Sequence, residues 1–156
     1  MKTVKKGITL IELIIVVMLI GALAFIAVPR LIMATVALGG SNTSAERIAA
    51  AIRHCRTLAI SNALNNSPGF ELDMTDVDSS GNYTRFNIFN VRTNDVNETG
   101  TIPAKVICSG DGNGKFQFGP LGSRTGGTGN LTVSGGGKTY VISVVTGTGM
   151  VKCTQQ

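Results

Sequence analysis

From Ile8 to Val28 the chain runs through 21 residues in which only Thr9, Glu12 and Gly21 interrupt apolar side chains. As a helix such a run rises about 30 Å, enough for the hydrocarbon core of a bilayer. Behind it the composition turns polar and glycine-rich, and the 156 residues leave room for one domain behind this appendage. The formal charge of +5 is equally uneven, since Lys2, Lys5 and Lys6 supply three of the charges. Without the first seven residues, 11 basic and 9 acidic side chains remain, a net of +2, which argues against a strongly basic surface. Lysines directly before an apolar segment predict a cytoplasmic start and an outward-facing remainder, with Arg30 anchoring the outer interface.

Past the apolar run, Leu31–Leu38 still reads as helix, and Gly39-Gly40-Ser41-Asn42 predicts a break. Thr43 to Glu46 has the spacing of a capping box and predicts a restart. Ala45, Ile48, Ala49, Ile52, Cys55, Ala59 and Ala63 then recur at helical spacing, so one side of this segment is made to pack. Asn65-Asn66-Ser67-Pro68-Gly69 ends it with turn chemistry. Seven strand-like pieces follow between glycine-rich turns: 70–74, 83–92, 102–108, 115–118, 130–134, 138–145 and 150–153. A helix with one apolar face followed by consecutive strands predicts an α+β domain, the helix covering one face of an antiparallel sheet.

An outward-facing domain lies on an oxidising side, where a disulfide is expected and one of Cys55, Cys108 and Cys153 is left over. Cys108 and Cys153 both fall in the strand-rich part, which pairs them and leaves Cys55 in the helix. Closing that loop would stabilise the fold by about 4 kcal/mol in the chain-entropy model.

A secretory signal peptide places its cleavage site after the apolar core. Here a short basic leader, Met1 to Lys6, ends in Gly7, and Ile8-Thr9-Leu10-Ile11-Glu12 opens the apolar run directly. This resembles the prepilin leader of type IV pilins and type II secretion pseudopilins. The resemblance implies cleavage between Gly7 and Ile8 by a prepilin peptidase, N-methylation of Ile8, and pairing of Glu12 with the free amine of a neighbouring subunit during assembly. The physics agrees, because a carboxylate at the centre of a membrane helix costs roughly 2.5–3.5 kcal/mol and usually marks a partner. An α-amine on an adjacent helix would offset that through a charge-assisted bond. Gly21 and Pro29 resemble pilin positions where the helix loosens as it packs, proline because it removes a backbone donor.

The back half is similar to pseudopilin H and to FimT-like and FimU-like minor pilins. The resemblance rests on Gly114-Lys115-Phe116-Gln117-Phe118-Gly119-Pro120-Leu121-Gly122, the Thr/Gly run after it, Leu131-Thr132-Val133, and Tyr140 to Gly147 before a short last strand. FimT-like proteins take part in DNA uptake, so Arg124, Lys138 and Lys152 are candidate phosphate contacts. From Thr99 onward they and Lys105 and Lys115 face only Asp111, but five dispersed charges without a cluster are more often a solvated surface.

Catalytic chemistry finds little support. His54 sits between Arg53 and Cys55, and adjacent helical residues point about 100° apart, so a Cys–His pair is not expected. No Cys and His spacing fits a metal site. Asp76-Val77-Asp78-Ser79-Ser80-Gly81 resembles the opening of a calcium loop, yet the twelfth position is Asn87, so Asp76 and Asp78 are a weak calcium candidate and more readily a solvated turn. Gly135-Gly136-Gly137-Lys138-Thr139 lacks the leading glycine of a phosphate loop and reads as a hairpin.

The expectation is therefore a pilin-like α+β chain that is not an enzyme and carries no cofactor. Residues 1–7 form a cleaved leader, 8–30 a transmembrane and assembly helix, 31–66 a second helical part with a break near 39–42, and 67–156 a β-rich globular domain. The resemblance implies a single pass through a bacterial inner membrane with a cytoplasmic N-terminus and a periplasmic domain, then a place in a pseudopilus or pilus. Its implied partners are prepilin peptidase, other pilins or pseudopilins, and the inner membrane assembly platform. A DNA-binding minor pilin of natural competence is the alternative.

Overall fold

The structure, a computed structural model, describes residues 10–127 and 129–156, and of residues 22–39 the backbone alone. The chain divides into two compact units, Met1–Val36 and Ala37–Gln156. One helix, α1 (Leu10–Ser61), precedes nine strands. In chain order these are β1 (Phe70–Val77), β2 (Tyr83–Asn90), β3 (Val96–Thr101), β4 (Ile107–Gly110), β5 (Lys115–Phe118), β6 (Arg124–Gly127), β7 (Leu131–Gly135), β8 (Lys138–Val144) and β9 (Val151–Gln155).

In the first unit the described side chains run from Leu10 to Gly21, and every one is exposed. The transmembrane half expected over residues 8–30, and with it the single-pass inner-membrane placement, is corrected here: among the described residues no helix is long and apolar enough to cross a membrane.

In the second unit α1 packs as its spacing predicts, with Ala45, Ile48, Ala49, Ile52, Cys55 and Ala59 all buried. The break expected at Gly39–Asn42 does not occur, because α1 is helical throughout. Two glycines cost a helix about 1 kcal/mol each, and here tertiary contacts of the helix offset that. A Cβ on Gly40 would meet Val106 at 3.5 Å, and the buried Ser41 donates its hydroxyl to the Gly135 carbonyl at 2.8 Å. Thr43 and Glu46 consequently cap nothing, since the helix is already under way, and Glu46 lies 3.9 Å from Arg53, two turns on along the same face.

The strands form two antiparallel sheets, one in the order β3-β2-β1-β5-β6 and one in the order β4-β7-β8-β9. In the first sheet the even-numbered residues of β1 face inward, so Phe70 sits opposite Phe118, Leu72 between Ile88 and Phe116, and Met74 opposite Phe86. In the second, Leu131 opposes Ile142, and Val133 lies between Cys108 and Tyr140. These side chains and the buried face of α1 form one apolar cluster. Burying a residue such as Leu72 or Ile88, both fully covered, stabilises the fold by about 1.5–3 kcal/mol. On the opposite face of β1 the Lys115 ammonium bridges Asp73 at 3.0 Å and Glu71 at 3.3 Å, fastening β5 in register.

The segment expected as a single strand over 102–108 is split. Pro103 and Val106 form a turn, Val106 N–H donating to the Pro103 carbonyl, and β4 starts only at Ile107. Two strands have no counterpart in the sequence reading, β3 and β6, and both are edges of the five-stranded sheet.

Candidate functional site

The first candidate surface is α1 between Leu10 and Gly21. Ten large apolar side chains there are 46–76% exposed. They occupy successive positions and so surround the helix, where a helix on a domain surface would show one apolar stripe. Glu12 is the lone charged residue among them. Burial of such a surface requires apolar neighbours on every side. Gly21 is helical and exposed, with open space around the position of a Cβ. Gly7 and Ile8 lie outside the described residues, and Pro29 where only backbone is described.

A second candidate is a shallow groove of about 300 Å³ lined by Arg47, Ala50, Ala51 and His54 of α1, Phe86 of β2 and Glu98 of β3. The spacing of the helical residues places them on one face, beside the buried one. His54 Nε2 lies 3.8 Å from Glu98 Oε2, and Arg47 Nη1 donates to the Thr101 carbonyl at 3.4 Å, so both side chains tie α1 to the edge strand. Gly100 permits the floor: a Cβ there would come within 2.1 Å of the Phe86 ring. His54 has no nucleophile beside it, since the neighbouring Cys55 is turned fully into the core, where burial pushes its thiol far up.

The other candidate residues are not brought together. Cys55, Cys108 and Cys153 are all free thiols. The Cys108–Cys153 disulfide is corrected by strand order, because β7 and β8 stand between β4 and β9. Three strand spacings separate the cysteines by about 14 Å, whereas a bridge needs Cα atoms within about 7 Å. At the weak calcium candidate, Asp76 and Asp78 both have partners within the chain. Asp76 pairs with Arg85 at 3.1 Å, and Asp78 accepts the Ser80 and Asn82 N–H groups and the Asn82 side-chain amide, closing its own turn. The Asn82 backbone bond comes first among the causes that hold the Asp78 carboxyl below its ordinary value.

Of Arg124, Lys138 and Lys152, the two lysines fall on opposite faces of the four-stranded sheet. Arg124 belongs to the five-stranded sheet and donates to the Thr146 hydroxyl. Lys138 has the inward parity of Tyr140 and Ile142 but sits exposed at the end of β8, in the hairpin expected for 135–139. Lys152 pairs with Ser143, on the other face of the same sheet. Three phosphate contacts would need one continuous face.

No group of three or more potential metal ligands occurs among the described residues. Sequence reasoning missed the groove, whose signal is the apolar pair Ala50 and Ala51 flanked by Arg47 and His54 on one helical face.

No protein-family model matches the chain, and no curated protein matches it. Among solved structures the fold is similar to the type IV minor pilin FimU of Pseudomonas aeruginosa, with a TM-score of 0.57 and 15% sequence identity over 72% of this chain and 87% of that one. At this identity the likeness is one of fold, and the fold is pilin-like.

Proposed function

We propose that the chain is a minor pilin or pseudopilin, a structural subunit that enters a type IV pilus or a type II secretion pseudopilus and helps to start or cap it. The observation that carries this reading is the exposed stretch Leu10–Gly21, apolar all round apart from Glu12. Like helices from neighbouring subunits would cover that surface on all sides, each large side chain gaining about 1.5–3 kcal/mol. The fold shared with FimU supports the same reading from the other end of the chain.

In this mechanism prepilin peptidase cuts between Gly7 and Ile8, the new terminus at Ile8 is N-methylated, and its cationic amine meets Glu12 of an adjacent subunit. Gly21 and Pro29 let the helix adjust as it packs. The partners are the peptidase, other pilins or pseudopilins, and the assembly platform. Glu12→Ala tests the pairing: it removes one charge-assisted bond, so the share of the chain found in sheared filaments should fall about tenfold at unchanged cellular amount. Incorporation at the wild-type level would sink the pairing.

A further inference from the structure

Where α1 ends, two tight turns carry apolar side chains to the surface. The Gly119–Gly122 turn lies against the helix, Arg56 Nε donating to the Gly122 carbonyl at 2.9 Å and Ile60 filling the space where a Gly122 Cβ would go. The turn after β8 lies against the first, since a Cβ on Gly149 would come 2.0 Å from the Gly122 oxygen. Both glycines have positive φ, 74° and 64°, so these approaches are built into the backbone. The second turn is closed by Val145 N–H donating to the Met150 carbonyl and held to β6 by Arg124, whose N–H donates to the Thr146 carbonyl and whose Nη2 donates to the Thr146 hydroxyl.

Ile60, Leu121, Val145 and Met150 are 45%, 90%, 38% and 47% exposed on this corner. Arg56 and Arg124 stand beside them, and no carboxylate occurs in the three segments that build it, 56–64, 119–127 and 145–151. The patch is therefore apolar and positive. Hydrogen bonds to backbone and hydroxyl fix both guanidiniums, so little ordering would be lost on association. Arginine is enriched among the residues that dominate protein contacts, and methionine and arginine are enriched at interfaces.

We propose that this corner docks a segment of a partner protein in which apolar side chains stand next to carboxylates. Charge complementarity selects the acidic partner, and the fork geometry of arginine suits a carboxylate. Two cations are few for a nucleic-acid backbone, and binding to an anionic lipid surface is an outcome of the test below. The proposal stands apart from the filament reading and does not require Glu12.

The test uses the full chain and fluorescence anisotropy of a labelled, soluble peptide of leucine and glutamate, with a twin carrying lysine for glutamate. The acidic peptide should bind, the lysine twin about tenfold or more weakly, and Leu121→Asp and Met150→Asp should each weaken binding about tenfold. Val77→Asp, exposed at the far end of β1, should leave it unchanged. Absence of acidic-peptide binding, equal binding of the twin, or wild-type binding by both corner variants would overturn the proposal. So would phosphatidylglycerol vesicles or duplex DNA bound in a Leu121-dependent way when the acidic peptide is not.

Discussion

The hydroxyl of Ser41 donates to the carbonyl of Gly135 at 2.8 Å, joining α1 to the β7–β8 hairpin across 94 residues of sequence. Both partners are small, and a Cβ on Gly135 would stand 3.5 Å from that of Ser41. Ser41 is fully buried, so Ser41→Ala leaves an acceptor without its donor and should cost about 1–3 kcal/mol. Urea denaturation of the full chain measures it, and an unchanged midpoint would show that the contact contributes nothing.

Gly100 and Phe86 give a second prediction. Gly100→Ala drives a methyl into the ring and should destabilise by about 1–3 kcal/mol through overpacking. Gly100→Ala combined with Phe86→Leu should recover part of that loss, because the clash is with the ring itself. Thermal unfolding of the single and double variants separates this from a general weakness of β3.

Three free thiols predict that reductant leaves the melting temperature unchanged. Burial pushes the Cys108 thiol up to about 12 and that of Cys55 further, so both are neutral and covered at pH 8. Cys153, half-buried on an edge strand, should be alkylated first in the native chain, and the other two only on unfolding. Mass spectrometry after timed alkylation reads the order; a Cys108–Cys153 bridge would appear as two unreactive sulfurs in the unfolded, unreduced chain.

Asp78 sets the acid response of the β1–β2 turn. Its carboxyl is held below the ordinary value of 3.8 mainly by the Asn82 hydrogen bonds, so its folded pKa lies under its unfolded one. The stabilisation is then complete above the unfolded value and is lost as pH falls through the folded one. Amide exchange at Ser80 and Asn82 should accelerate, relative to the intrinsic rate, over that acid window, and Asp78→Asn should remove the pH dependence of the protection.

Several of these relationships were legible in the sequence and others were not, for physical reasons. The buried face of α1 from Ala45 to Ala59 follows helical spacing, and β5 has the same bounds in sequence and structure, because both alternate cleanly between core and solvent. β3 has one buried position in six and β6 has none, so neither carries the alternation by which a strand is recognised. Gly39–Asn42 misleads because local propensity opposes helix there while the buried Ser41 and its bond to Gly135 hold the helix in place. The cysteine pairing fails because the order β4-β7-β8-β9 cannot be read from the order of the strands along the chain. Leu121 and Met150 are single apolar residues inside glycine-rich turns, a signal that periodicity does not register.

The same lack of alternation in β3 and β6 has a consequence for crowded conditions. An open sheet edge is a template on which another chain can add a strand, and a flat apolar edge invites it. Here one edge presents Asn97, Glu98 and Thr99 to solvent, and the other is four residues long and half glycine. Neither offers a long apolar register for a stranger to copy. The five-stranded sheet is thereby guarded at both its edges against strand addition by a second chain.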